Sequence, residues 1–140
     1  MALIWRKHLS IGNATLDSGN KKLIGMVNSI EYTISTKDSA ALLEAIKSFK
    51  GCAETHFANE ARFAQALNLP FTQHELAHQH FQKELQETID ELAVKLATWS
   101  EYVMDYYPQL LRDWLIEHIT NNGMQMKPVL ESHPYDFEPV

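Results

Sequence analysis

The sequence predicts an all-α protein, an up-down-up-down antiparallel four-helix bundle with an N-terminal arm and an irregular C-terminal tail. Three observations predict it. Apolar residues recur in alternating steps of four and three along four segments, which is the seam of a helix packed in a bundle. No segment alternates with period two over a useful length, so nothing reads as a strand. The breaks between segments are short, which makes neighbouring helices antiparallel. At 140 residues the chain is long enough for a core of its own, and residues 1–140 read as a single domain.

The first dozen residues form an arm carrying Trp5. The first seam then reads Leu16, Asn20, Leu23, Val27, Ile30 and Ile34, predicting a helix over residues 16–36. The polar stretch from Ser35 to Ser39 separates it from a second helix over 40–67, whose seam is Leu42, Ile46, Phe49, Ala53, His56, Glu60, Phe63 and Leu67. Asn68-Leu69-Pro70 stops that helix, because the residue before a proline is pushed out of the helical region. Thr72-Gln-His-Glu75 has the spacing of a capping box and starts a third helix over 72–97. Its seam is Phe71, His74, His78, Phe81, Leu85, Thr88, Leu92 and Leu96. Thr98-Trp-Ser-Glu101 repeats the capping pattern and opens a fourth helix over 100–122, with the seam Tyr107, Leu111, Trp114, His118 and Asn121. Pro108 kinks this helix or opens its main part. Gly123 ends it, in the usual place of a C-terminal glycine. The tail over 124–140 holds Pro128, Pro134 and Pro139 and reads as irregular.

Composition excludes several function classes. A net charge of −6 with scattered Lys and Arg argues against a nucleic-acid partner. No apolar run approaches the ~20 residues of a membrane span, and the N-terminus has no secretion signal pattern. One cysteine, Cys52, rules out an internal disulfide framework and fits a reducing compartment. The expected location is cytoplasmic. Seven histidines against 12 Lys plus Arg are the one compositional hint of chemistry.

That hint is sharpened by position. Asn20, His56, Glu60, His74, His78 and His118 all fall on apolar seams, where an unpartnered imidazole or carboxylate costs a few kcal/mol. Asn20 is near the start of helix one, His56 and Glu60 near the end of helix two, His74 and His78 near the start of helix three, and His118 near the end of helix four. In an up-down-up-down bundle those four ends are one end, so the six converge. His74 and His78, four apart, share one helical face and can grip one ion, as can His56 and Glu60. Imidazoles with a carboxylate suit Fe, Zn, Mn or Cu, and spacing does not choose among them. His8, His80 and His133 fall off the seams and read as solvated. Cys52 reads as a small buried hydrophobe and Trp114 as a wall of the pocket. Besides Glu60 the chain offers no second acid or base at the cluster, so a binding protein is expected rather than an enzyme. The competing reading is a metal-free four-helix interaction module whose polar cluster is held by hydrogen bonds and buried water.

These residues resemble the hemerythrin family, specifically the bacterial single-domain hemerythrins, along nearly the whole chain. His56-Phe-Ala-Asn-Glu60 resembles the family's HFxxE, His74-Glu-Leu-Ala-His78 followed by Phe81 its HxxxHxxF, and Trp114-Leu-Ile-Glu-His118-Ile119 its WLxxHI. Trp5, Gly12 and Asp17 are similar to its arm and first-helix start. The resemblance implies a four-helix bundle holding a non-haem di-iron centre that binds oxygen reversibly. It implies metal ligation by His56, Glu60, His74, His78 and His118. Where the family has a first-helix histidine this sequence has Asn20, and where it has a bridging aspartate this sequence has Gly123. Those two positions are expected to line the pocket. The expected cofactor is therefore non-haem iron, one ion rather than two, with zinc or another divalent metal as the substitute. The expected role is binding or sensing of a small diatomic ligand (O2 or NO) or of redox state. A conventional di-iron oxygen-binding protein is the other alternative. A protein partner and the oligomeric state are left open.

Overall fold

The computed structural model describes residues 3–94 and 101–139, and within these the side chains of residues 101–105, 107 and 122 are outside the description. Four long helices account for most of the chain: α1 (Ala14–Ser35), α2 (Ser39–Ala66), α3 (Thr72–Val94) and α4 (Glu101–Glu117). No strand occurs among the described residues. The last predicted turn of helix three (95–97, with Leu96), the Thr98-Trp-Ser start signal and the seam side chain of Tyr107 lie outside the described residues. Among the described residues, no helix is long and apolar enough to cross a membrane.

Side-chain pairings fix the directions. Going up α2, Phe49 meets Phe81, Phe57 meets His78 and Glu60 meets His74, so α3 runs down. The same rise meets Trp114 and then His118, so α4 runs parallel to α2 across the diagonal. Gly19 near the start of α1 lies against His56 late in α2, and Glu31 late in α1 pairs with Arg112 of α4. This is the expected up-down-up-down order.

The helix ends follow from local chemistry. The Asn13 side chain accepts from the Thr15 and Leu16 amides and caps α1. Asp38 caps α2 by accepting from the Ala41 amide. At the end of α2, Asn68 adopts a left-handed φ of 56°, with Asn68 N bonded to Gln65 O (3.2 Å) and Leu69 N to Ala64 O (2.8 Å). That is the paired carbonyl closure of a left-handed helix stop. α3 does begin at Thr72, with Phe71 as the residue that leads in: its carbonyl accepts from the Glu75 amide.

The core is one long apolar cluster with a smaller one at the end bearing the predicted polar seam. Leu23, Val27, Ile30, Ile46, Phe49 and Leu115 are fully buried in the first. Burying each such side chain stabilises by about 1.5–3 kcal/mol. On α3 the buried position is Ile89 and not Thr88, which is only half-buried; a 3.6-residue helix drifts off a strict seven-residue seam.

The C-terminal part differs from expectation. α4 already extends back to Glu101 and continues through a buried Pro108, so that proline does not open it. Past Glu117 the chain enters a π-helical turn (His118–Asn122), then a 3-10 turn (Gly123–Met126) and a short helix, α5 (Lys127–Leu130). Gly123 does not end the helix in a left-handed conformation: its φ and ψ are −65° and −42°. The extra residue of the π turn shifts the helical phase, so Asn121, predicted on the seam, is exposed while Gly123 is buried. Nor is the tail irregular throughout. Met126 and Leu130 are buried with Ile11, Leu16 and Phe63 in the second cluster, and burial of these residues is what orders it. His133, expected to be solvated, is half-buried and lies 4.5 Å from the Phe137 ring.

The arm and tail are tied together over the start of α1. The fully buried Asp17 carboxylate accepts from Ser10 Oγ (2.5 Å), the Ile11 amide (2.9 Å) and Tyr135 Oη (2.8 Å). Asn13 Nδ2 donates to the Phe137 carbonyl (2.8 Å). Removing the acceptor strands donors at a buried position. Asp17→Ala is therefore expected to destabilise the fold by about 3 kcal/mol in urea unfolding, and a loss within error of zero would show that the clasp contributes nothing.

Candidate metal centre

The helices deliver the ligand-type residues in pairs. His56 and Glu60 lie one turn apart on α2, and His74 and His78 one turn apart on α3. His118 is the first residue of the π turn that closes α4. All five are buried, His118 and Glu60 almost completely. Glu60 is the hub. Its Oε1 lies 2.8 Å from His118 Nε2 and 2.6 Å from His56 Nε2, and its Oε2 lies 2.9 Å from His74 Nε2 and 3.8 Å from His78 Nε2. Donor atoms of Glu60, His74, His78 and His118 all fall within 4.8 Å of one another. His56 touches Glu60 but is not part of that mutually close set.

Stacked aromatic rings hold the imidazoles in orientation. Phe57 lies face to face with His78 at 3.7 Å and 9°. Trp114 stacks on His118 (5.0 Å, 11°) and is itself backed by Phe81 (3.5 Å, 5°). Trp114, expected as a wall of the pocket, packs directly on His118. Packing of this kind removes the rotamer freedom that ligation would otherwise have to freeze.

Electrostatics divide the cluster. Burial by itself raises the Glu60 pKa, but the His118 and His56 imidazoles outweigh it and hold this carboxyl well below the usual range. Burial lowers His78 to about 3, against the opposing pull of Glu60, so its ring is neutral at physiological pH. One carboxylate and neutral imidazole form a donor set for a divalent transition metal.

No protein-family model matches the chain. Similarity to known proteins nevertheless runs along almost all of it. A bacteriohemerythrin from Stenotrophomonas maltophilia is 24% identical over 135 residues, covering 96% of this chain and 86% of that protein. Hemerythrin-like proteins from Naegleria gruberi and Naegleria fowleri are each 28% identical over 127 residues, covering 90% of this chain and 92% of theirs. The chain is similar to hemerythrin-like proteins along most of its length.

Nε2 of His74 and His78 and Oε2 of Glu60 are buried without an aligned hydrogen-bond partner. The His74–Glu60 contact is short, but its atoms face each other off the line a hydrogen bond needs. Several buried groups pointing their lone pairs at one place cost several kcal/mol unless a cation satisfies them together. The set of Glu60, His74, His78 and His118 therefore fits one ion. The positions of a second ion fit poorly. Asn20 is buried with both amide atoms unpartnered, and Gly123 offers no side chain. A Cβ at Gly123 would meet Ile11 Cγ2 and the His118 carbonyl at 3.5 Å.

Two openings flank the cluster. A groove of about 530 Å³ between α1 and α2 has Gly19, Lys22, Cys52 and His56 in its walls. Another of about 410 Å³ between α2 and α3 is bounded by Phe57, Phe71 and His78. Neither Asn20 nor Gly123 lines these two. Cys52 is half-buried, at the edge of the core. Sequence reasoning missed Gly19 and Phe57. The signal for Gly19 was a glycine inside a helix, which costs about 1 kcal/mol relative to alanine and so asks for a reason.

A pH prediction follows from His78. Its folded-state pKa is depressed, so between about 6.5 and about 3 the unfolded chain takes up a proton that the fold refuses. Stability is complete above 6.5 and falls as pH drops toward 3, with Glu60 adding to the loss further down. The melting temperature of chelator-treated protein should hold above about pH 6.5 and fall from there to pH 5; a flat or rising profile over that lower range would contradict the assignment.

Proposed function

We propose that this protein binds one non-haem iron ion through Glu60, His74, His78 and His118, and uses it to bind or sense a small diatomic ligand, O2 or NO. It is a binding protein rather than an enzyme on this reading, working in the cytoplasm with Cys52 reduced. The observation that carries it is the mutually close, buried set of three imidazoles and one carboxylate, in which Nε2 of His74 and His78 and Oε2 of Glu60 lack hydrogen-bond partners. The likeness to a bacteriohemerythrin and to hemerythrin-like proteins supports iron over zinc.

The chain's own residues define what such a site can do. An iron held by these four side chains would offer an open coordination position to a small ligand. Phe57, Phe81 and Trp114 surround the imidazoles with apolar surface that keeps bulk water away. His78 borders the α2–α3 opening, so that face supports the approach of a small ligand. Glu60 supplies one negative charge to the site, and Asn20 and Gly123 supply none where the family has ligands. One carboxylate balances less positive charge than two, which supports one ion over a pair.

Metal analysis after anaerobic loading with Fe(II) should find about one iron per chain, since tight sites fill near stoichiometrically. His74→Ala and His118→Ala should each lose most of it. Asn20→His combined with Gly123→Asp, which returns the two missing donors, should raise the content toward about two. Wild-type protein holding less than about 0.2 iron per chain after loading would defeat the proposal.

A further inference from the structure

His56 is a ligand by resemblance, yet its geometry differs from that of the other three imidazoles. Its Nε2 lies 2.6 Å from Glu60 Oε1, the oxygen that also bonds His118 Nε2 at 2.8 Å, while the other carboxylate oxygen faces His74 and His78. It stands outside the set whose donors are mutually within 4.8 Å. The approach to Glu60 is close but oblique, fixed by their one-turn separation on α2 and not by an aligned hydrogen bond.

The far side of the ring is fixed by α1. A Cβ built on Gly19 would lie 2.1 Å from His56 Nδ1 and 2.9 Å from Cε1. No L side chain other than hydrogen fits there while the ring keeps its place. By contrast, a Cβ on Gly25 of the same helix would meet nothing within 4 Å. Gly19 thus has an α-helical backbone with no conformational need for glycine, and a steric need set by one imidazole.

From this we infer that His56 is a positioning residue for Glu60 rather than a ligand, and that Gly19 is the residue that seats it. The His56 ring packs against Oε1 from one side while His118 bonds it from another, so that Glu60 presents itself to an ion in a single orientation. Groups that orient a ligand in this way commonly change metal affinity by about 10- to 100-fold when removed. The inference rests on the one-ion reading above.

Cobalt(II) serves as the probe, because its visible absorption reports the number and type of ligands as well as occupancy. Wild type should bind one cobalt per chain. His56→Gln, which keeps an N–H at the ε position, should keep that stoichiometry, the spectrum and nearly the wild-type affinity. His56→Leu should keep the stoichiometry but bind about 10- to 100-fold more weakly, with an altered spectrum as Glu60 turns. Gly19→Ala should reproduce His56→Leu, Gly25→Ala should change nothing, and Gly19→Ala should add little in the His56→Gln background, where the clashing ring is gone. The inference is overturned if His56→Gln lowers the cobalt content or changes the spectrum as His74→Ala does, because His56 would then be a ligand. It is equally overturned if His56→Leu leaves affinity and spectrum unchanged. Failure of the one-ion reading shows separately, as wild-type protein that binds no cobalt or binds two.

Discussion

The rest of this structure depends on a single buried carboxylate. Glu60 is within 4 Å of four imidazoles drawn from α2, α3 and the π turn after α4, and it has almost no exposed surface. A carboxylate so placed is stable only while it is paired, and removing either side of such a pair typically costs about 3–5 kcal/mol. The three contacts from other elements, His74, His78 and His118, therefore constrain the relative height and rotation of α2, α3 and α4 more tightly than apolar packing would. Leucines on these seams could slide by a fraction of a turn and still be buried. A shared carboxylate tolerates no such slippage. The aromatic stack Phe81–Trp114–His118 and the Phe57–His78 pair then transmit that constraint into the apolar core.

Much of this was legible in the sequence because it follows from helical phase. Steps of four and three put Leu16 to Ile30 and Leu42 to Phe63 inward, and these positions are buried. Antiparallel order then brings His56, Glu60, His74, His78 and His118 to one end with no reference to coordinates. What the phase could not give is the end of α4. A π turn adds one residue to the helical repeat, which moves Asn121 outward and brings Gly123 in. It leaves no trace in a seam that is already ending. The tail was illegible for another reason: three prolines mark the absence of a long helix, but they do not forbid Met126 and Leu130 from burying themselves against Ile11 and Phe63.

Gly19 illustrates a third kind of limit. In the sequence it is a helix-interior glycine with a small penalty and no visible cause. Its cause is on another helix, thirty-odd residues away in the chain, where the His56 ring occupies the space a side chain would need. A lone sequence shows the penalty and never the partner, so residues whose role is to be small are found only when the packing is known. Phe57 is similar: its spacing marks it as core, and only the coordinates show that it lies flat against a ligand-type imidazole.

His118 links the four-donor set to the way α4 passes into the tail: it is at once a member of that set and the first residue of the π turn. Downstream of that turn, Met126 and Leu130 pack on Ile11 and Leu16, and Tyr135 donates to Asp17 two residues before Gly19. The buried lone pairs of His74, His78 and Glu60 Oε2 penalise the fold when nothing satisfies them, and His118 bonds the other oxygen of the same carboxylate. An ion that binds the folded chain and not the unfolded one stabilises the fold by mass action. On the one-ion reading, the local part of that gain falls on His118 and the π turn. A bundle end built in this way would report occupancy through the turn and the tail strapped behind it, while the long apolar cluster toward the other end would change little.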